Sequence, residues 1–312
     1  MIRNGRAPAV LALCCTVAGV GLVGCESSSK ADSHASASRT APATERTAGE
    51  VLLAGAKTIK VDGRSVNVSC SGDPVGGRPV ILLMHGGGDG LKKMATFQKA
   101  LSKKNRVCSY DRLGAGASDK PDGPQTLESS GKVLTGVIDR VAGGAPVVLA
   151  GHSLGGLIAA RYAPDHRDKV KGLVLMDATS PTQNADLTKE IPESATGPAA
   201  DLRAQTLAIL QGKGPEKLTV RDGKVRSAGN IPVEVVQHGK RYLAKVPEYG
   251  PGMEQAWSQG QHEWLAVSNR SNLSTAANSE HYIYLDQPEV AVRAIERVTS
   301  QAGDPAKAQA QR

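Results

Sequence analysis

The chain has 312 residues, of which 40% are hydrophobic and 22% charged, with 35 glycines and 17 prolines. This composition is typical of a globular protein and excludes a wholly disordered or collagen-like chain. The 38 basic and 30 acidic residues give a formal net charge of +8, but the sequence contains no block of like charges. No nucleic-acid partner is therefore predicted.

The first 25 residues combine a basic start with an apolar run that ends at a cysteine. Arg3 and Arg6 precede the apolar residues 7–23, which is the order found in a secretory signal peptide. The end of this run, Leu22-Val23-Gly24-Cys25, resembles the lipobox of bacterial lipoproteins, whose cysteine is acylated and becomes the new N-terminus. The resemblance predicts removal of residues 1–24 and an extracytoplasmic protein anchored to the cell membrane through lipid on Cys25. The alternative is an uncleaved membrane helix.

The segments on either side of the predicted domain have little apolar pattern. Residues 25–50 are rich in Ser, Ala and Thr, which predicts a flexible tether. Residues 303–312 are predicted to form a disordered tail. The intervening residues 51–302 have the size of a single domain.

Two cysteines of the predicted domain, Cys70 and Cys108, lie in segments with a β-strand pattern. An exported protein occupies a compartment that permits disulfides, so we expect these two cysteines to pair. The alternative is two buried, unreactive thiols.

Strand and helix patterns alternate along the domain. Alternating apolar residues around Asp62-Gly63 predict a hairpin. A helix pattern begins at Thr126, and another begins near Asp286-Gln287-Pro288-Glu289. Apolar runs of the kind buried on both faces recur at Pro79–Met84, Arg106–Tyr110, Pro146–Ala150, Gly172–Met176 and Pro232–Val236. This order predicts an α/β fold with a mostly parallel, doubly wound sheet and helices on both faces.

Two long segments interrupt the alternation. Residues 178–230 separate consecutive strands, with the best helical pattern at Ala199–Leu210, and residues 240–272 hold both tryptophans. Connections of this length are unusual. Long insertions at one edge of a parallel sheet usually cap an active site, so a cap is predicted at about residues 178–230. Four residues could line its pocket or form the cap's own core: Tyr249, Met253, Trp257 and Trp264.

The clearest chemical motif is Gly151-His152-Ser153-Leu154-Gly155, placed between a predicted strand and a helix-compatible segment. In this context a G-x-S-x-G sequence predicts a nucleophile elbow, in which Ser153 stands at the edge of the sheet. The N-terminus of the following helix favours developing negative charge there. The alternative is a glycine-rich turn with a surface serine.

A second motif, His85-Gly86-Gly87-Gly88, follows the strand that ends at Met84. Its glycines can present backbone N–H groups toward the nucleophile. The N–H groups of Gly87, with Gly86 as the alternative, and of Leu154 are predicted to form an oxyanion hole. The absence of a following Lys-Ser/Thr pair disfavours a phosphate-binding loop.

These motifs resemble those of the α/β-hydrolase superfamily over residues 56–300. Residues 110–118, Tyr-Asp-Arg-Leu-Gly-Ala-Gly-Ala-Ser, match the superfamily's D-R-x-G-x-G-x-S turn, and residues 281–289 match its C-terminal histidine loop. The resemblance implies an α/β-hydrolase fold and a Ser-His-acid triad. It also implies that Asp111 and Arg112 are structural.

The resemblance makes His281 the predicted base, because it lies between the last predicted strand and the last helix. His238 and His262 are the alternatives. The acid must reach His281, and the position after Pro232–Val236 that the superfamily uses most often holds no carboxylate until Glu248. Asp177, at the end of the preceding strand, is therefore the predicted acid, as in some superfamily branches.

Near His281, Asp286 has a spacing to Glu289 that predicts a helix cap rather than a triad acid. Glu248 remains the alternative acid.

The sequence thus predicts a serine hydrolase, carboxylesterase-like, that cleaves a small ester or amide substrate through an acyl-enzyme. Its catalytic residues are Ser153, His281 and Asp177. No cofactor is predicted, and no metal site, because cysteine and histidine spacings of the zinc type are absent. The alternatives are a haloperoxidase or lyase on the same fold, a peptidase, and a non-catalytic binding lipoprotein.

Overall fold

A computed structural model describes residues 53–303 of the chain. The predicted signal peptide, Cys25 and the tether lie outside the described residues, as do residues 304–312. No helix within the described part is long and apolar enough to cross a membrane.

The strands of the described region form one eight-stranded sheet. Its order is β1-β2-β4-β3-β5-β6-β7-β8, with β1 and β2 antiparallel, β2 and β4 antiparallel, and every other neighbouring pair parallel. This confirms the predicted α/β class with a mostly parallel sheet. The strands span Gly55–Val61 (β1), Arg64–Ser71 (β2), Val80–Met84 (β3), Val107–Tyr110 (β4), Val147–His152 (β5), Val170–Met176 (β6), Pro232–His238 (β7) and Arg270–Ala276 (β8).

Helices cover both faces of this sheet, as predicted. Alternate residues of β3 point to opposite sides: Leu82 joins one apolar cluster with Leu134 and Leu157, and Leu83 joins another with Phe97 and Ile295. The helices span Ala95–Leu101 (α1), Leu127–Ala142 (α2), Leu154–Tyr162 (α3), Gln183–Glu190 (α4), Gly197–Leu210 (α5), Gly250–Glu263 (α6), Ile283–Asp286 (α7) and Pro288–Gly303 (α8).

The edge strand β8 and the last helix extend beyond the segments that the sequence pattern indicates. The sequence suggests a short strand at 274–277, whereas β8 begins at Arg270. Its first residues, Arg270 to Leu273, are exposed or half-buried, so an edge position replaces the apolar run that marks a central strand. After β8, helix α8 extends to Gly303, the first residue of the predicted tail.

Cys70 and Cys108 form a disulfide between β2 and β4. The two residues are direct partners in the antiparallel pairing, with their Cα atoms 4.1 Å apart. The bond therefore joins the antiparallel edge of the sheet to its parallel part.

The segment between β6 and β7 contains helices α4 and α5, and the segment between β7 and β8 contains α6. Leu187 and Ile191 meet Ala199 and Met253 in a small apolar cluster. Leu187 of α4, Ala199 of α5 and Met253 of α6 thus bring the three helices into contact with one another. The role of residues 178–230 as a cap stays a prediction.

Candidate active site

Ser153 lies between β5 and α3, in a backbone conformation that a serine rarely adopts. Its φ and ψ are 51° and −121°. Its N–H donates to the carbonyl of Met176 at 3.1 Å, and its carbonyl accepts from the N–H of Thr179 at 3.1 Å. These bonds to the neighbouring strand end hold a conformation that costs free energy in isolation.

The glycines on either side of Ser153 are required by close backbone approach. A Cβ at Gly151 would lie 2.5 Å from the backbone of Gly155, and a Cβ at Gly155 would lie 2.4 Å from the carbonyl oxygen of Met84. Both positions therefore exclude side chains. The result is a sharp strand-to-helix turn with Ser153 at its tip, in agreement with the elbow predicted from the motif.

Arg112 holds the glycine loop after β3, residues 85–88, through hydrogen bonds to its backbone carbonyls. The guanidinium donates to the carbonyl oxygens of His85 at 2.6 Å and Gly86 at 2.9 Å, and it pairs with Glu216 at 2.7 Å. Burial and the nearby charge of Arg112 lower the pKa of His85 well below its usual value. His85 is thus a neutral ring whose Nδ1–H donates to the carbonyl of Gly86 at 2.8 Å. It orients the loop.

Gly87 lies beside the turn that holds Ser153. A Cβ at Gly87 would be 3.4 Å from Cδ2 of Leu154, and Gly87, Ser153 and Leu154 all border one cavity. The two residues predicted to form an oxyanion hole are therefore next to each other and to the serine.

His281 is carried by the loop between β8 and α7. The carboxylate of Asp286 accepts from the N–H of Glu280 at 2.9 Å, so it holds this loop in place, where the sequence had suggested a helix cap. The carbonyl of His281 accepts from Nε2 of His152 at 3.0 Å. Burial, together with the charge of His281, lowers the pKa of His152 well below its usual value, so His152 is a neutral support.

Asp177 is fully buried at the end of β6 and contacts His281 directly. The Nδ1–H of His281 donates to Oδ2 of Asp177 at 2.7 Å, and the indole N–H of Trp257 donates to Oδ1 at 2.9 Å. Burial by itself would raise the pKa of Asp177, but the hydrogen bonds and charges of His238 and His281 outweigh burial and hold it well below the usual range. Asp177 is therefore an ionised hydrogen-bond acceptor.

The alternative residues lie elsewhere or have other partners. Glu248 is exposed on the loop before α6, and His262 is exposed on α6 with its ring against the carbonyl of Ser258. His238 is buried, but its ring faces Asp177 and Glu254 instead of the cavity that holds Ser153. Among the described residues, the structure thus brings Asp177 rather than Glu248 to His281.

The pairing of His238 and Glu254 with Asp177 was not predicted from the sequence. His238 occupies the strand end where the superfamily resemblance calls for an acid, and it had been considered only as a base. Its position at the end of β7 was the available signal. Nothing in the spacing of Glu254 indicated that α6 would deliver a carboxylate to this point.

Ser153 and His281 border the same cavity of about 310 Å³. Ser153 Oγ contacts Thr179 Oγ1 at 3.4 Å, and the described contacts include no hydrogen bond from Ser153 to the imidazole. Catalytic hydrogen bonds are often long or absent without substrate and tighten when it binds. The chemical capacity of the arrangement is that of a serine hydroxyl, an imidazole and a buried carboxylate at one end of a pocket.

The rest of the cavity wall comes largely from apolar side chains of α4, α5 and α6. Of the four residues singled out from the sequence, Met253 and Trp257 line the cavity, whereas Tyr249 packs in the small helical cluster and Trp264 is buried in the main core. Further lining residues are Gln183, Asp186, Leu187, Glu190, Leu202, Thr206, Ile209, Leu210, Tyr242, Leu243 and Ala256.

Known proteins share both the sequence of the central region and the fold. Residues 79–219 match the family model described as the alpha/beta hydrolase fold. The chain is 31% identical over 145 residues to a (lyso)-N-acylphosphatidylethanolamine lipase from Bos taurus, and the match covers 44% of this chain. It spans 42% of that lipase, so less than half of the relative's length is shared.

Solved structures extend the likeness over most of the chain. A carboxylesterase, CesB (YbfK) from Bacillus subtilis, aligns with a TM-score of 0.55 and 17% identity, covering 80% of this chain and 92% of that one. A serine hydrolase of carbazole degradation, CarC, aligns with a TM-score of 0.56 and 20% identity, covering 78% and 98%. At these identities the likeness concerns the fold. Together with the family-model match over residues 79–219, it shows that the chain has the α/β-hydrolase fold.

Proposed function

We propose that the protein is a lipid-anchored extracytoplasmic serine hydrolase that cleaves ester-type bonds. The observation that carries the proposal is the hydrogen bond of 2.7 Å between His281 and the buried carboxylate of Asp177, at the cavity that also contains the strained Ser153. A serine hydroxyl is a weak nucleophile at neutral pH, and a neighbouring imidazole oriented by a carboxylate is the usual way to activate it.

The reaction begins when Ser153 Oγ attacks the substrate carbonyl and His281 Nε2 takes the hydroxyl proton. The tetrahedral intermediate collapses as His281 gives that proton to the leaving alcohol, which leaves an acyl group on Ser153. Water then attacks the acyl-enzyme with His281 again as base, and the acid product departs. Asp177 keeps the Nδ1–H tautomer of His281 and stabilises the imidazolium that forms twice in the cycle.

Negative charge on the carbonyl oxygen develops beside Gly87 and Leu154. Backbone N–H groups at these positions would donate to the oxyanion, and the N-terminus of α3 adds favourable electrostatic potential. The loop that holds Gly87 is fixed through Arg112, so its donors need little reorganisation during the reaction.

The cavity favours an uncharged, apolar acyl group. Leu, Ile, Met and Trp contribute eight of its eighteen lining residues, and the charged residues among the lining are the carboxylates Asp186 and Glu190. Neither Lys nor Arg lines the described part of this cavity. An anionic acyl group would therefore lose its hydration without gaining a partner.

The relatives support hydrolysis as the reaction class. The similar proteins include a lipase of N-acylated phospholipids, a carboxylesterase and a serine hydrolase, by their names. Each of these names denotes a hydrolase, which supports hydrolytic cleavage for this chain.

A fluorophosphonate probe with a set of p-nitrophenyl esters tests the activity. We expect the probe to label the wild-type protein, Ser153→Ala to abolish both labelling and turnover, and Ser227→Ala, an exposed serine before β7, to change neither. Turnover should exceed that of matched p-nitroanilides. An unlabelled wild-type protein would reject the triad and favour a binding lipoprotein. Labelling that persists in Ser153→Ala would reject Ser153 as the nucleophile.

Anchoring is tested separately by Cys25→Ser in the full chain. Loss of the acylated residue should move the protein from the membrane fraction to the soluble fraction, because lipid chains would supply the attachment. Retention of the variant in membranes would favour an uncleaved helix and reject the lipoprotein assignment.

A further inference from the structure

His238 lies between two carboxylates. Its Nδ1 is 2.8 Å and 2.9 Å from the two oxygens of Asp177, and its Nε2 is 2.7 Å from Oε1 of Glu254. The backbone N–H of His238 adds a bond of 3.2 Å to Asp177. The ring is almost completely buried, with 7% of the residue exposed.

This arrangement requires a proton on both ring nitrogens when both carboxylates are ionised. A neutral imidazole has one N–H and would set its bare nitrogen against an oxygen lone pair. Burial by itself lowers the pKa of His238, but the hydrogen bonds and charges of Asp177 and Glu254 raise it above the usual value overall. The position of the ring between two carboxylates thus favours the doubly protonated form of His238.

The net charge of Asp177, His238 and Glu254 is then opposite to the charge that His281 acquires during the reaction. Asp177 and Glu254 contribute two negative charges and His238 one positive charge, which leaves one net negative charge beside His281. That charge is balanced when His281 becomes an imidazolium. Without Glu254, a cationic His238 would compete with His281 for Asp177.

Other groups that face the two histidines are few and mostly uncharged. The ring of Tyr242 lies 4.8 Å from His238 and 6.0 Å from His281, and burial raises the pKa of Tyr242 well above its usual value, so its hydroxyl stays neutral. On the far side of His281 are the neutral ring of His152 and the ring of Tyr282, over which the Lys93 ammonium sits at 3.7 Å.

On the basis of the proposed function, we propose that His238 and Glu254 are positioning residues of the triad. Glu254 holds His238 as a doubly protonated ring, and His238 clamps both oxygens of Asp177 so that Oδ2 faces His281. The chain of contacts is Glu254–His238–Asp177–His281. The pair thus extends the triad by a second imidazole and a second carboxylate, neither of which touches the substrate.

Steady-state kinetics on a p-nitrophenyl ester test this role. His238→Gln should lower kcat by about 10- to 100-fold, the scale expected when a catalytic group is slightly misplaced, with KM little changed. Glu254→Gln should lower kcat less. In an Asp177→Asn background, His238→Gln should cause no further loss, because its effect passes through Asp177.

The matched control is His262→Gln, which removes an exposed histidine of α6 that borders the same surface cavity as His238. Its kcat should equal that of the wild type. A normal kcat in both His238→Gln and Glu254→Gln would overturn the proposal and leave the triad intact. Additive losses in the Asp177→Asn background would overturn it too.

Nitrogen NMR of histidine-labelled protein gives a readout that needs no turnover. We expect both ring nitrogens of His238 to be protonated at pH 7.5 in the wild type, and one of them to lose its proton in Glu254→Gln. A neutral His238 in the wild type would overturn the proposal even if His238→Gln fails to fold. Absence of Ser153-dependent turnover would instead reject the proposed function.

Discussion

The carboxyl ends of the parallel strands, here called the strand ends, and the helices that cover them contribute to the cavity in different ways. The strand ends supply Ser153, Asp177 and Gly87. Their positions are set by parallel strand pairing and by backbone hydrogen bonds between neighbouring turns. The helices α4, α5 and α6 supply mostly apolar walls and pack through a small cluster of their own. Under the proposed function, the strand ends supply the reacting groups and the helices determine which substrates fit.

The largest expected effect on kcat comes from a substitution at the strand ends. Asp177→Asn should reduce kcat by roughly 10³- to 10⁴-fold, because the amide cannot stabilise the imidazolium or hold its tautomer. Glu248→Gln is the control, since Glu248 is exposed, and it should leave kcat unchanged. Turnover of one ester by both variants shows whether Asp177 or Glu248 is the triad acid. A collapse in Glu248→Gln with normal Asp177→Asn would reassign the acid.

A change in the helices should alter selectivity rather than the chemical step. Leu202→Trp places a larger side chain in the cavity wall, so kcat/KM for a long acyl ester should fall by about 10-fold relative to the acetate ester. Leu285→Trp, at an exposed site outside this cavity, is the control. Equal losses on short and long esters would contradict the division between strand ends and helices.

A third change, away from both regions, should affect stability alone. Replacing Cys70 and Cys108 together by serine removes the bond between β2 and β4, and should lower the free energy of unfolding by about 2–4 kcal/mol. The folded variant should keep the wild-type kcat. Denaturant unfolding and ester turnover on the same preparation measure both. A large loss of kcat in the folded variant would show that this edge of the sheet supports the catalytic centre.

Sequence patterns were informative where function depends on local chain geometry. Gly151 and Gly155 flank Ser153 because the turn tolerates no side chain at either position. This requirement can be recognised from residues 151–155 alone. His281 could be assigned because the loop between the last strand and helix is also a local feature. Asp177 was reached by its place at a strand end and by the lack of an early carboxylate after β7.

The contacts of His238 depend on information that a local pattern does not hold. Glu254 meets it only because α6 packs with one face toward the ends of β6 and β7. The same packing brings Trp257 to Asp177 and buries Trp264 against the carbonyl of Thr179. A helix pattern indicates which residues share a face, whereas the partner of that face is decided by tertiary packing.

The salt bridge between Arg112 and Glu216 has a mechanical consequence. Arg112 donates hydrogen bonds to the carbonyls of His85 and Gly86 in the glycine loop, and Glu216 lies in the segment that follows α5. Removal of Glu216 would leave the buried guanidinium of Arg112 without its ion-pair partner and weaken the support of the glycine loop. The segment after α5 and the glycine loop after β3 are therefore connected through one buried guanidinium.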